Sequence, residues 1–389
     1  MAARKTPAKK APPKRAAPKA PTRSAMQKAL DKFLTDAEKT YGPGKFALGA
    51  EPQKYEVIST GSLVLDVRTG VGGYVKGRMA EIWGPEGAGK TFLAIAGMIE
   101  AQKESPTKMV MFVNVEHRWD EQWARSHGLD MMRAMIVTPE NAEEVADMVK
   151  DACRSGLFSM IVVDSIGGMI PEAEKQKDAD KAVMMAQAKI VTRMVKIAAV
   201  EADATKTVVL LLNQVRANIS KYGADTTSSG PHALKHGTTM KFDVRRTSEG
   251  ALKIGGTTGQ QVGHLITVRI ERNSVALAFK KAEFALLYVN TPQFGPMGID
   301  RAMEATDLGI EYGIIEQNSG WYTNKITGEK VQGKPAVVES LRANPAVALE
   351  VRSRALDLVA GEVVYDVPAI VDVPEGMAFD PDPEQELAT

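Results

Sequence analysis

The sequence predicts an α/β fold: a mostly parallel, twisted sheet with helices on both faces, a separate N-terminal helix ahead of it and a small α+β unit after it. Three observations carry this. Between about residues 56 and 288, short apolar runs alternate with helix-periodic stretches, the order that builds crossover units. The last apolar runs of that region have no helix between them, which points to antiparallel or mixed extensions of the sheet. The chain is 389 residues long and 44% hydrophobic, enough for two or three domains with ordinary cores.

The elements follow in order. Residues 1–24 contain eight basic residues, five prolines and no acid; they read as a disordered basic tail that serves solubility or binds a polyanion such as nucleic acid. In 25–55, Met26, Leu30, Phe33, Leu34, Ala37 and Tyr41 recur at helical spacing until Gly42-Pro43-Gly44 stops the helix. That helix is an oligomerisation element or packs on its own core. In 56–288 the strands are Met79–Trp83, Met109–Val115, Met135–Thr138, Met160–Asp164 and Thr207–Leu212. Helices from Lys90, near Asp120–His127, over Ala142–Cys153 and over Ala182–Ala204 alternate with them. Met240–Arg245, His264–Glu271 and Glu283–Tyr288 are the helix-free extensions. Residues 289–360 make the smaller unit, with helices over Asp300–Thr306, Pro335–Arg342 and Ala346–Val359, and Trp321 and Tyr322 beside the turn-rich Asn324–Gly328. Residues 361–389 read as a disordered acidic tail.

Composition excludes several classes. Forty-nine basic and 48 acidic residues give a net charge of +1, but residues 362–389 hold eight acids and no base, so a neutral body lies between oppositely charged tails. A single cysteine, Cys153, rules out an internal disulfide framework and reads as a buried structural thiol. No run of 18 apolar residues marks a membrane span, and no apolar signal segment follows the first basic residues, so a soluble cytoplasmic setting is expected.

Gly84-Pro85-Glu86-Gly87-Ala88-Gly89-Lys90-Thr91 fits G-x-x-x-x-G-K-[ST], with a strand before it and a helix after it. Glycines let successive N–H groups turn inward on phosphate oxygens, and the helix N-terminus adds partial positive charge. Lys90 would reach the β- and γ-phosphates and Thr91 would ligate Mg²⁺. Met160–Asp164 delivers a carboxylate to the same sheet edge, where Asp164 would hold the metal or its water. Glu116, at the end of its strand, is either the base that orients attacking water or a solvated strand-end carboxylate. Gln214, with Asn213, either senses the γ-phosphate or caps its strand.

Together these motifs resemble the bacterial RecA recombinase family. Ile58-Ser59-Thr60-Gly61-Ser62-Leu63, Leu65-Asp66 and Gly72-Gly73 match the family's segment before the loop. The loop itself has Gly87-Ala88 where the family has two serines. Val115-Glu116-His117 with Asp120, Ile161–Ser165, Asn213–Arg216, Ala233-Leu234-Lys235, Asp243–Arg246, Phe279–Phe284 and Gly320-Trp321-Tyr322 continue the series, so the likeness spans about residues 26–360. It implies a DNA-dependent ATPase that uses ATP and Mg²⁺, self-associates into a helical filament on single-stranded DNA and pairs that strand with homologous duplex DNA, with no membrane partner. Glu116 would activate water, Gln214 would couple nucleotide state to DNA, and Asp120 and Trp123 would meet adenine; the family usually has tyrosine at the latter position. Two DNA loops would run from about Ile170 to Met185 and from about Arg216 to Gly230. Arg216 would meet phosphate, while Met184, Ile219 and Tyr222 would wedge between or stack on bases. Lys189 and Lys196, seven apart on one helix, would face one DNA backbone or simply be solvated. Arg245, Arg246 and Arg269 resemble the family's secondary DNA site, or are exposed sheet residues.

The family's Lys-Asn-Lys, which reaches a neighbour's ATP, is Arg272-Asn273-Ser274 here, so Arg272 keeps one charge and the second is absent. His236 replaces a phenylalanine and Pro231 a glycine. Two other readings follow: an ATP-switched DNA-binding filament protein with weak hydrolysis, and a RecA-like hexameric helicase motor. The charged ends give a first prediction. Deleting residues 362–389 strengthens duplex DNA binding and deleting residues 1–24 weakens it at low salt, measured by fluorescence anisotropy; unchanged affinity in both would reduce the tails to solubility devices.

Overall fold

The structure is a computed structural model that describes residues 23–42, 55–172, 181–217, 226–228, 232–255, 259–278, 280–292 and 294–362. Both expected tails lie almost wholly outside the described residues. Helix α1, Arg23–Tyr41, belongs to the first of two compact units, the second being Tyr55–Val364, and is described by itself. Its 19 residues cover the expected amphipathic stretch, with Phe33 and Tyr41 more than half exposed.

The centre of the second unit is one sheet. Its backbone order is β11 (Lys281–Leu287), β10 (Gln260–Asn273), β9 (Met240–Ile254), β3 (Met79–Gly84), β7 (Val208–Ala217), β6 (Phe158–Asp164), β4 (Met109–Asn114) and β5 (Ala134–Val137). β8 (Thr226–Ser228) pairs with the end of β7. From β9 through β5 every pairing is parallel. β9–β10 and β10–β11 are antiparallel, as the missing helices predict. The strands run several residues beyond their apolar stretches. β9 passes an irregularity at residues 247–250, where its register with β10 shifts between His264 and Ile266, and pairs again from Ala251 to Ile254.

Alternation along the strands divides the interior in two. Ala80, Ile82, Val110, Phe112, Met160, Val162, Leu210 and Leu212 face α3 (Lys90–Glu104). Met79, Met111, Val113, Ile161, Val163, Val209 and Leu211 face α5 (Ala142–Ser155) and α6 (Lys181–Thr205). Burial on both faces explains why these strands read as unbroken apolar runs. Cys153 is fully buried in the second cluster, and burial pushes its thiol up to about 12.

The first cluster continues through α2 (Leu63–Thr69) into α8 (Arg301–Glu311), α9 (Lys334–Ala343) and α10 (Pro345–Glu362). β12 (Ile315–Asn318), β13 (Trp321–Asn324) and β14 (Lys330–Gln332) form a separate antiparallel sheet between α8 and α9. Two small strands, β1 (Val57–Ile58) and β2 (Tyr74–Val75), flank α2. α4 (Glu121–Ser126) and the six-residue α7 (His232–Gly237) complete the described elements.

Two buried carboxylates join α2 to the C-terminal helices. Asp66 accepts from Thr60 N at 2.7 Å, Thr60 Oγ1 at 2.8 Å and Arg352 Nε at 2.9 Å. Removing Arg352 would leave that acid buried and unpaired, a loss of about 3–5 kcal/mol. Glu304 caps α2: it accepts from Ser62 Oγ and, at 2.7 Å, from Leu63 N. Burial pushes its carboxyl up to about 8 despite both bonds. A raised folded-state value means that this group favours the fold fully below about pH 4.5 and loses that contribution as pH rises toward 8. Glu304→Gln therefore melts closer to, or above, the wild type at pH 9 than at pH 5, as followed by circular dichroism; a pH-independent difference would refute the assignment.

Candidate functional site

Four parallel strands carry the site at one edge of the sheet: β3 ends at Gly84, β4 at Asn114 and β6 at Asp164, while β7 runs on to Ala217. Gly84 of β3 lies in register with Gln214 of β7, and Asn114 of β4 with Asp164 of β6. The residues just past these ends surround a cavity of about 640 Å³. Pro85, Glu86, Gly87, Gly89, Lys90, Thr91, Glu116, Asp120, Trp123, Asp164 and Gln214 all line it. Gly84 and Ala88 complete the loop beneath.

Two of the loop's three glycines, Gly84 and Gly89, have no room for a side chain. A Cβ on Gly84 would strike the carbonyl oxygen of Val244, and one on Gly89, at φ 100°, would come within 2.6 Å of Ile266 Cδ1. Gly87 has open space, its nearest neighbour being Arg246 Nη1 at 3.8 Å from such an atom. Lys90 Nζ donates to the carbonyls of Gly84 and Pro85 at 2.9 and 2.8 Å, so its ammonium lies across the mouth of the loop. Burial lowers the Lys90 pKa, against the pull of Asp164, Glu116 and Glu86.

Thr91 Oγ1 donates to Asp164 Oδ2 at 2.9 Å. Burial raises the Asp164 pKa, with the Thr91 hydroxyl opposing it and nearby Glu116 adding to it. A half-desolvated carboxylate beside a hydroxyl is an oxygen donor set that a Mg²⁺ ion would satisfy. Among the described residues, no cluster of three or more His, Cys, Asp or Glu could hold a metal by itself. Glu116 Oε1 accepts from Ser165 Oγ and from Gln214 Nε2, the latter at 2.7 Å. Gln214 is itself held by Asn213, whose Oδ1 accepts from Gln214 N at 2.9 Å while its Nδ2 donates to buried Glu81 at 2.8 Å.

The far end of the cavity is aromatic. Asp120 caps α4 through Trp123 N at 2.9 Å. Trp123 lies 4.3 Å from His127, and Phe92 packs edge-on to both. The opposite wall is Leu286, Leu287, Tyr288 and His264. Arg246 donates to Tyr288 Oη at 2.9 Å, and the same hydroxyl is hydrogen-bonded to His264 Nδ1. Burial, with Arg246 adding to it, pushes His264 down to about 4 and keeps it neutral.

Sequence reasoning missed Arg118, Trp119, His264 and Tyr288 as cavity residues. Ser165 was visible only as the residue after Asp164. Tyr288 ended an expected strand, but nothing local indicated which pocket that strand would reach.

The remaining predicted residues scatter. Lys189 and Lys196 are both exposed along α6. Arg245 and Arg246 are adjacent on β9 and so face opposite sides of the sheet. Arg246 is at the cavity wall, whereas Arg245 pairs with Asp243 at 2.6 Å and lies 4.9 Å over the Trp83 ring. Arg269 is exposed on β10, opposite Asp243 and Lys281. Arg272, also on β10, is half-buried and outside the cavity lining. The side chains of Met184 and Arg216, and all of Ile219 and Tyr222, lie outside the described residues, as do half of the first expected DNA loop and most of the second.

A family model described as the RecA N-terminal domain matches residues 28–292. Over 336 residues the chain is 35% identical to a protein named Protein RecA from Thermotoga neapolitana, covering 84% of this chain and 92% of that relative. The Protein RecA of Thermotoga maritima is 34% identical over 342 residues, with 86% and 92% covered. That of Delftia acidovorans is 34% identical over 339 residues, with 86% and 88% covered.

Removing the ammonium tests the phosphate site directly. Lys90→Ala lowers ATP affinity by roughly two orders of magnitude in calorimetric titration, the loss expected when a charge-assisted contact disappears from a partly buried site. Unchanged affinity would place the phosphates elsewhere.

Proposed function

Because the chain belongs to the RecA family, we propose that it is a DNA-dependent ATPase that assembles into helical filaments on single-stranded DNA and exchanges that strand with homologous duplex. The observation that carries this reading is the convergence of Lys90, Thr91, Asp164, Glu116 and Gln214 at one sheet edge. The loop amides and Lys90 bind the β- and γ-phosphates, and the aromatic end takes the base between Trp123 and the Tyr288 wall. Thr91 and Asp164 hold Mg²⁺, which when bound neutralises developing charge on the phosphate oxygens.

Glu116 accepts the proton of the attacking water. Ser165 and Gln214 fix its orientation before substrate arrives. Gln214 also couples the site to DNA. Only two residues separate it from the described end of β7 at Ala217, where the second DNA loop departs. A γ-phosphate that competes for its amide would pull on that loop. Lys189 and Lys196 on α6, with Arg216, Met184, Ile219 and Tyr222, form the primary strand's contacts; Arg245, Arg246 and Arg269 belong to a second DNA site. In the same reading, residues 25–55 and self-association serve the filament, residues 56–288 are the motor core, residues 289–360 are an accessory unit, and the setting is the cytoplasm. Among the described residues no helix is long and apolar enough to cross a membrane.

Two assays check this. The chain turns over ATP faster with single-stranded DNA, forms filaments in electron micrographs and yields joint molecules with homologous duplex; stimulated turnover without filaments or pairing would sink the recombinase reading. Glu116→Gln retains ATP affinity, lowers turnover by about 10²–10⁴-fold and accumulates a DNA-bound state.

A further inference from the structure

The cavity is a phosphate site with an excess of negative charge. Four carboxylates line it, those of Glu86, Glu116, Asp120 and Asp164. Lys90 and Arg118 are the lysine and the arginine among the described lining residues, and His264 is neutral. Lys90 is already committed to two loop carbonyls. Arg246, at the cavity wall, is engaged by the Tyr288 hydroxyl, whereas Arg118 is paired with carboxylates of the loop and of the turn after β4.

Its backbone is fixed and its head is not. After β4 the chain turns at His117, φ 55°, and Arg118 N donates to Asn114 Oδ1 at 2.9 Å. The guanidinium donates through Nη1 to Glu86 Oε1 at 2.6 Å and lies 3.6 Å from Glu116 Oε2. The side chain is 67% exposed and its Glu86 partner 83%, so this is a surface ion pair of little strength. Asp164 also feels Arg118, which ties the guanidinium to the metal end of the cavity. An arginine poised between the phosphate loop and the water-activating carboxylate stands where negative charge accumulates during phosphoryl transfer.

We propose that Arg118 acts within its own subunit as the cation that stabilises the transferring phosphoryl group. This rests on the ATPase reading above. When ATP occupies the loop, the guanidinium leaves Glu86 for a γ-phosphate oxygen and stays beside Glu116. The water oxygen attacks the γ-phosphorus and its proton passes to Glu116. The bond to the β,γ-bridging oxygen breaks, its electron pair leaves on ADP, and inorganic phosphate is released. Arg118 neither gains nor loses a proton; its contribution is charge that is better matched to the transition state than to bound ATP. It supplies, inside one subunit, a positive charge of the kind absent at Ser274.

The test uses the full chain with saturating single-stranded DNA. Arg118→Ala lowers kcat by about 10²–10³-fold with KM for ATP within about threefold. Arg118→Lys, which keeps charge but loses the fork, recovers part of that rate, and added guanidine partly restores Arg118→Gly. A binding measurement is independent of turnover: by calorimetry Arg118→Ala loses roughly 100-fold in affinity for ADP with aluminium fluoride while ADP alone changes by less than about threefold. Equal losses for both ligands, or a kcat within about threefold of wild type, would overturn the assignment. A wild-type chain with no ATP turnover at all would instead overturn the parent reading and Arg118 with it.

Discussion

Parallel register is the constraint on which the rest of the molecule depends. Hydrogen bonding sets Gly84 beside Gln214 and Asn114 beside Asp164, and the pairing of β6 with β7 keeps these two rows within two residues of each other along the sheet. No side-chain contact is needed to gather them. Helices α3, α5 and α6 bury both faces of the sheet and leave only its edge open to ligand. The short reach of Thr91 to Asp164 and of Gln214 to Glu116 follows from that alignment. A slip of one residue in β6 or β7 would turn these groups into the core and bring apolar ones to the edge.

The edge is expensive to maintain, and the surrounding structure compensates for it. Four carboxylates converge on a space that receives a polyanion, a mutual repulsion that a stability-driven design would avoid. Rigidity is supplied nearby. Asn213 bridges Gln214 and buried Glu81, while β10 brings Ile266 against Gly89 and β9 brings the Val244 carbonyl against Gly84. Farther out, Asp66 and Glu304 bind α2 to α8 and α10 through buried hydrogen bonds, so the helical C-terminal part shares one apolar core with the sheet.

Much of this was legible in the sequence, for identifiable reasons. The central strands are buried on both faces and read as apolar runs; the loop, Asp164, Glu116 and Gln214 follow from strand ends and the glycine pattern. α2 was not legible as a helix. Leu63, Val64, Leu65 and Val67 are all buried in a seven-residue element, so no polar face marks its period. The sheet of β12 to β14 has strands of three or four residues, too short for alternation to show. Arg118, His264 and Tyr288 join the cavity through the turn after β4 and through antiparallel pairing, relations that spacing along the chain does not encode. The three arginines grouped by family likeness divide between two sheet faces, because strand geometry separates neighbours that sequence places side by side.

That separation on β9 has a consequence for how the protein can vary. Arg245 and Arg246 address opposite surfaces from consecutive positions: one meets Trp83 and Asp243, the other Tyr288 and the phosphate loop. A single inserted or deleted codon upstream in the strand would exchange their surroundings at once, whereas substitutions alter each alone. Homologous genes can therefore drift freely in amino-acid identity along this strand while its length stays locked, and alignments through it should carry no gaps.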